Sequence, residues 1–150
     1  MIQQYRLFYS WQSDNKDAKR VIRKALDTVV KQLKGNHIAI EIIEGGGGEG
    51  FISIEDAVRM KIQRCDIFVG DVTPVGNVAM KGKLLPNANV MYEMGIATEC
   101  LTADRIIAVA MAGDWKVENM PFDFNHYSMV WFKGESDTKA LTERIKDRIR

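Results

Sequence analysis

The sequence is poor in the residues that most often carry metal, redox or triad chemistry. Its 150 residues include two cysteines and two histidines. Cys65 and Cys100 stand far apart, without a Cys-x-x-Cys spacing or a histidine at ligand spacing. They read as reduced, buried thiols of a cytoplasmic protein, with no grounds for a metal site. His37 and His126 are isolated and read as structural or surface residues, and no Ser-His-Asp or Cys-His grouping is visible. No apolar run approaches the roughly 20 residues that cross a membrane. The amino-terminal Met-Ile-Gln-Gln-Tyr-Arg lacks the basic-then-apolar pattern of a leader. A net charge of +1 gives no electrostatic argument for nucleic acid or an anionic membrane as partner. With 46% apolar and 27% charged residues, the chain has the composition of one globular domain long enough to bury a core.

Patterning supplies the elements. Tyr5 to Trp11 is aromatic and apolar, a strand buried on both faces. The polar run Gln12-Ser13-Asp14-Asn15 ends it and caps a helix in which Val21, Ile22, Ala25, Leu26, Val29, Val30 and Leu33 recur at helical spacing until Gly35. Lys19, Arg20, Arg23 and Lys24 read as its solvated face. Ile38 to Ile43 is a second strand. Ser53 and Asp56 suggest a cap for a short helix through Arg64. Cys65 to Asp71 is a third strand, followed by a loop through Thr73-Pro74 to Pro86. A helix capped by Asn87 or Asn89 comes next, then strands at Arg105 to Met111 and Tyr127 to Phe132, and a last helix from Ser136 to Arg150. This alternation predicts an α/β fold, a doubly wound, mainly parallel five-stranded sheet of flavodoxin-like type.

Such sheets bind ligands beyond the carboxyl ends of their strands, where the strand order reverses. That rule gathers Ser10, Trp11, Ser13, Asp14, Asp71 and Thr73, with the start of the Asn87 helix opening on the same edge. In that helix Val90, Met94, Ala97 and Leu101 form the core stripe, and Glu93 falls close to the same face. A carboxylate there either pairs with a base such as Lys81 or Lys83 or serves chemistry, because an unpaired buried charge is costly. Tyr9 and Trp11 point to one side of their strand and Phe8 and Ser10 to the other. Either aromatic of the first pair can stack on a flat ring or pack in the core. Gly45 to Gly50 satisfies G-x-G-x-x-G with Asp71 about 20 residues on, yet it follows the second strand, where the dinucleotide fingerprint does not belong. It reads instead as a loop able to fold over a ligand.

Taken together, Phe8-Tyr9-Ser10-Trp11-Gln12-Ser13-Asp14, Asp66-Ile67-Phe68-Val69-Gly70-Asp71-Val72-Thr73-Pro74, Asn87-Ala88-Asn89-Val90-Met91-Tyr92-Glu93-Met94-Gly95 and Met120-Pro121-Phe122-Asp123-Phe124 resemble the bacterial TIR-like (Toll/interleukin-1 receptor-like) domains of antiphage defence systems. The likeness runs in order through nearly the whole chain. It implies one TIR-like domain over residues 1–150 and cleavage of NAD+ between nicotinamide and ribose, with Glu93 at the place of the family glutamate. NAD+ is then substrate, and no cofactor or metal is expected. The expected substrate-binding residues are Ser10, Trp11, Ser13, Asp14, Asp71, Thr73, Asn89 and Tyr92. The glycine run takes the place of a loop that in such domains mediates self-association and gates the site. The resemblance therefore implies an oligomer or filament, activation by assembly, and a sensor domain or protein as partner. On this view the chain is either the effector part of a longer sensor–effector protein or a full-length effector. Nucleoside 2-deoxyribosyltransferases share a similar strand, helix and glutamate arrangement and imply deoxyribosyl transfer instead. A non-catalytic self-association module is the third expectation.

Overall fold

The computed structural model describes residues 1–45, 54–77, 82–121 and 129–149. Strand β1 (Gln3–Ser10) leads into α1 (Lys16–Lys34), β2 (Ile38–Glu44) and α2 (Ile54–Gln63). Strand β3 (Ile67–Asp71) follows, then a two-residue antiparallel pair, β4 (Gly76–Asn77) with β5 (Leu84–Leu85), inside the stretch the sequence reads as loop. Helix α3 (Ala88–Cys100), β6 (Ile106–Met111), β7 (Val130–Phe132) and α4 (Thr138–Ile149) complete the order. The main sheet runs β2-β1-β3-β6-β7 with every pairing parallel, the flavodoxin-like doubly wound order. Among the described residues no helix is long and apolar enough to cross a membrane.

The sheet has two buried faces because its strands alternate apolar residues toward both. Leu7, Tyr9, Val69, Ile107 and Val109 pack against Val21, Ala25 and Leu33 of α1 and Leu141 and Ile145 of α4. On the other side Phe8, Phe68, Ala108 and Ala110 meet Val58 and Ile62 of α2 and Val90, Met94 and Ala97 of α3. The Phe8 and Phe68 rings stack with centroids 5.8 Å apart. Continuous burial of both faces at β3 is what a central parallel strand requires.

Local chemistry sets the ends. Asn15 caps α1 by accepting from the Ala18 amide at 3.0 Å. Gly35 closes the helix in right-handed conformation, and the left-handed residue of the turn is His37, two positions on. Trp11 lies beyond β1 and Cys65 before β3, so both strands are shorter at those ends than their apolar runs suggest. Cys65 is buried, and burial pushes its thiol up to about 11. Cys100 is exposed at the end of α3, correcting the expectation of two buried thiols: the core stripe passes from Ala97 to the partly buried Leu101 and leaves Cys100 outside it. Ser53, the proposed cap of α2, and Tyr127 and Ser128 of the expected last strand lie outside the described residues. The basic face of α1 is exposed but not idle, since Arg20 pairs with Glu135 and Arg23 with Asp27 and Glu44.

Helix α3 approaches the sheet closely at Gly70. A side chain there would stand 2.9 Å from Met94 Cε and from Phe68 Cε1, and 3.5 Å from Val90 Cγ1. The Met94 terminus can shift, whereas the stacked Phe68 ring has little room to do so. Gly70→Ala is expected to lower stability by about 1–3 kcal/mol, read as a reduced urea midpoint at unchanged slope.

Candidate functional site

The site is built where β1, β3 and α3 meet. Asn87 caps α3, its Oδ1 accepting from the amides of Asn89 at 2.9 Å and Val90 at 3.1 Å. Its side-chain nitrogen donates to Asp14 Oδ2 at 2.6 Å. One residue thus starts the helix and ties it to the loop after β1. Two turns of register then place Glu93 between Val90 and Ala97, both fully buried, with its carboxylate over the end of β1. Ser10, the last residue of β1, donates from Oγ to Glu93 Oε1 at 3.2 Å. Glu93 Oε2 is buried and has no hydrogen-bond partner among the described residues. Among the described residues Glu93 forms no ion pair; Lys81, one of the bases considered for it, lies outside them. Burial pushes its carboxyl up to about 7, against the smaller opposing effect of the Ser10 hydroxyl.

A cleft of about 590 Å³ opens beside this carboxylate, within the usual size of small-molecule sites. Trp11, Gln12 and Ser13 form one wall, Asn89 and Tyr92 another, and Gly45 and Val58 lie toward β2 and α2. Gly45 lies against the carboxylate, since a Cβ on it would stand 3.6 Å from Glu93 Oε2, an ordinary van der Waals contact. Residues 46–50 of the glycine run lie outside the described residues. Trp11 is half-buried, and the Lys19 ammonium sits 3.6 Å from its ring centroid. Tyr9 is wholly buried in the core with its hydroxyl donating to the Lys19 carbonyl, so packing is its main role even though part of it reaches the cleft. Its phenol is pushed up, by burial first and by the Asp71 carboxylate next. Tyr92 is exposed, its hydroxyl engaged by Glu55 and Arg59. A hollow of about 620 Å³ between β7 and α4 is slightly larger, but its Asp137 and Arg144 already pair at 3.4 Å.

No family model and no curated protein matches this chain. Of the sequence-derived candidates, Trp11, Ser13, Asn89, Tyr92 and Glu93 line the cleft, and Ser10 reaches it through Glu93. Asp14 stands behind the wall, on Asn87. Asp71 and Thr73 do not line the cleft; they form a buried layer with Gln12. Asp71 Oδ1 accepts from the Thr73 amide at 3.0 Å, Thr73 Oγ1 accepts from the Met111 amide at 2.9 Å, and the Gln12 side chain donates to the Thr73 carbonyl at 3.0 Å. Gln12, Glu55 and Val58 are cleft residues that sequence reasoning missed, while Gly45 opens the run that reads as a loop able to fold over a ligand. Gln12 sits inside the FYSWQSD segment, but nothing local marks a glutamine as buried. Among the described residues no group of three or more His, Cys, Asp or Glu is placed to hold a metal ion. His126 and Phe122-Asp123-Phe124 also lie outside the described residues.

Asp71 gives a pH signature. Burial pushes its carboxyl up to about 6, against the hydrogen bonds from Thr73 and Gln12. The folded chain holds this proton more tightly than the unfolded chain, so ionisation costs stability as pH rises from about 4 through 6. Asp71→Asn keeps the acceptor for Thr73. It is expected to raise stability at pH 7–8 by up to about 3 kcal/mol, with the gain vanishing near pH 4 in denaturation series at each pH.

Proposed function

We propose that this chain is an NAD+ glycohydrolase that cleaves the bond between nicotinamide and ribose, with Glu93 as its essential residue. The observation that carries the reading is the Glu93 carboxylate, held by Ser10 through one oxygen and presenting a second, unpartnered oxygen beside the cleft. Breaking an N-glycosidic bond builds positive charge on the ribose at C1, and a fixed carboxylate stabilises it or holds the ribose hydroxyls. The bonding electrons leave with the pyridinium nitrogen, so nicotinamide departs neutral and needs no general acid. Water then adds at C1 and loses its proton. Ser13 and Asn89 offer hydrogen bonds to the ribose, and Trp11 an aromatic surface for the base.

The TIR-like resemblance supports the same reading and extends it to a cytoplasmic defence effector, switched on by assembly with a sensor. The free Glu93 oxygen also favours a second reading, deoxyribosyl transfer, in which that oxygen bonds C1 of the sugar. A covalent sugar on Glu93, found by mass spectrometry after incubation with deoxynucleosides, would identify that chemistry.

Glu93→Gln is expected to cut nicotinamide release from NAD+ by about 10²–10³-fold or more at unchanged melting temperature, measured at high protein concentration. Equal release by the variant would end the hydrolase reading. Because the active form is the carboxylate, wild-type release is expected to rise with pH through about 7. A profile flat from pH 6 to 8 would assign the step to another group.

A further inference from the structure

The cleft is lined by two carboxylates, Glu55 and Glu93, and among the described residues by no lysine or arginine. Glu55 is already neutralised, with Arg59 Nη2 3.1 Å from its Oε1 and the Tyr92 hydroxyl donating to the same oxygen. Lys19 spends its ammonium on the Trp11 ring. Among the described residues Glu93 is left without a counter-charge, holding only the Ser10 hydroxyl. At the start of α3, where an anion would otherwise settle, the Asn89 and Val90 amides are both bonded to Asn87 Oδ1.

These charges favour one half of a dinucleotide over the other. A pyridinium ring beside Glu93 supplies the missing partner in a setting where opposite charges attract strongly. A diphosphate brings negative charge and needs arginine, lysine or free amides to hold it. Resting on the hydrolase reading above, we infer that the cleft selects its ligand by positive charge. Its substrate class is the N-ribosylated pyridinium nucleoside, and the diphosphate and adenosine of NAD+ add little to recognition. Neutral nucleosides, which a deoxyribosyltransferase would use, fit this charge pattern poorly.

The test separates charge from chemistry. Ligand-observed NMR titrations compare the cation 1-methylnicotinamide with neutral nicotinamide, on wild type and on Glu93→Gln, which keeps the shape of the side chain. Wild type is expected to bind the cation at least tenfold more tightly, and the variant to lose that preference. In parallel, kcat/KM for nicotinamide riboside is expected to equal or exceed that for NAD+. Equal or tighter binding of neutral nicotinamide, or a kcat/KM more than tenfold higher for NAD+ than for the riboside, would overturn the inference. Cation preference that depends on Glu93, with no cleavage of either substrate even when the chain is forced to oligomerise, would uphold charge selection and refute the hydrolase. Cleavage of NAD+ with no cation preference would do the reverse.

Discussion

At Gly70 the absence of a side chain lets Met94 and Val90 of α3 settle directly on β3, next to the stacked Phe8 and Phe68 rings. That approach brings the helix near enough for Ser10, on the neighbouring strand, to reach Glu93 at 3.2 Å. Asn87 completes the constraint from the helix end, capping α3 and gripping Asp14 with the same amide. The wall of the cleft, the orientation of the carboxylate and its burial all follow from these contacts. A helix displaced outward by a methyl group or more would let water into the gap, and Glu93 would ionise as an ordinary surface carboxylate.

Two carboxyl groups at this sheet edge are pushed up by burial, and they stand in different surroundings. Asp71 is enclosed in a hydrogen-bonded layer that joins β3, the loop after β1 and the end of β6 through Thr73 and Gln12. Its burden is borne by the fold, and neutrality suits it. Like Asp71, Glu93 has one buried oxygen with no partner among the described residues, but it holds only the Ser10 hydroxyl and has a cleft beside it. Strongly shifted groups gather at functional sites, but structural networks shift them too. Exposure to a cavity is what separates the two cases here.

Much of this was legible in the chain. Period-two alternation assigned Phe8 and Ser10 to one face of β1 and Tyr9 to the other, and the two cores are divided accordingly. Helical spacing put Glu93 beside the stripe of Val90, Met94 and Ala97. Polar positions at the strand ends were harder to read. Asp71 and Thr73 fall at the edge where ligands bind in such sheets, yet both are buried. Asp71, still paired with Val109 in the ladder, shares the face of Val69, and an Asx-type turn brings the Thr73 amide back onto its carboxylate. Strand period specifies a face of the sheet; once the chain leaves the ladder it no longer specifies direction. Gln12 shows the same limit from the other side, as a polar loop residue that is buried by its bond to the Thr73 carbonyl.

Residue patterning was enough to define the class of fold, the order of its main elements and the helix that carries the carboxylate. Those properties rest on local periodicity, capping and the two-sided burial of parallel strands, all of which act over a few residues. Tertiary structure alone decided that Glu93 lacks a counter-ion among the described residues, that Ser10 holds one of its oxygens, and that Gly45 closes on the other. It also decided that Asp71 lies under the cleft rather than in it. These are relations between groups tens of residues apart in the chain, fixed only when the sheet order brings β1, β2 and β3 side by side beneath α3.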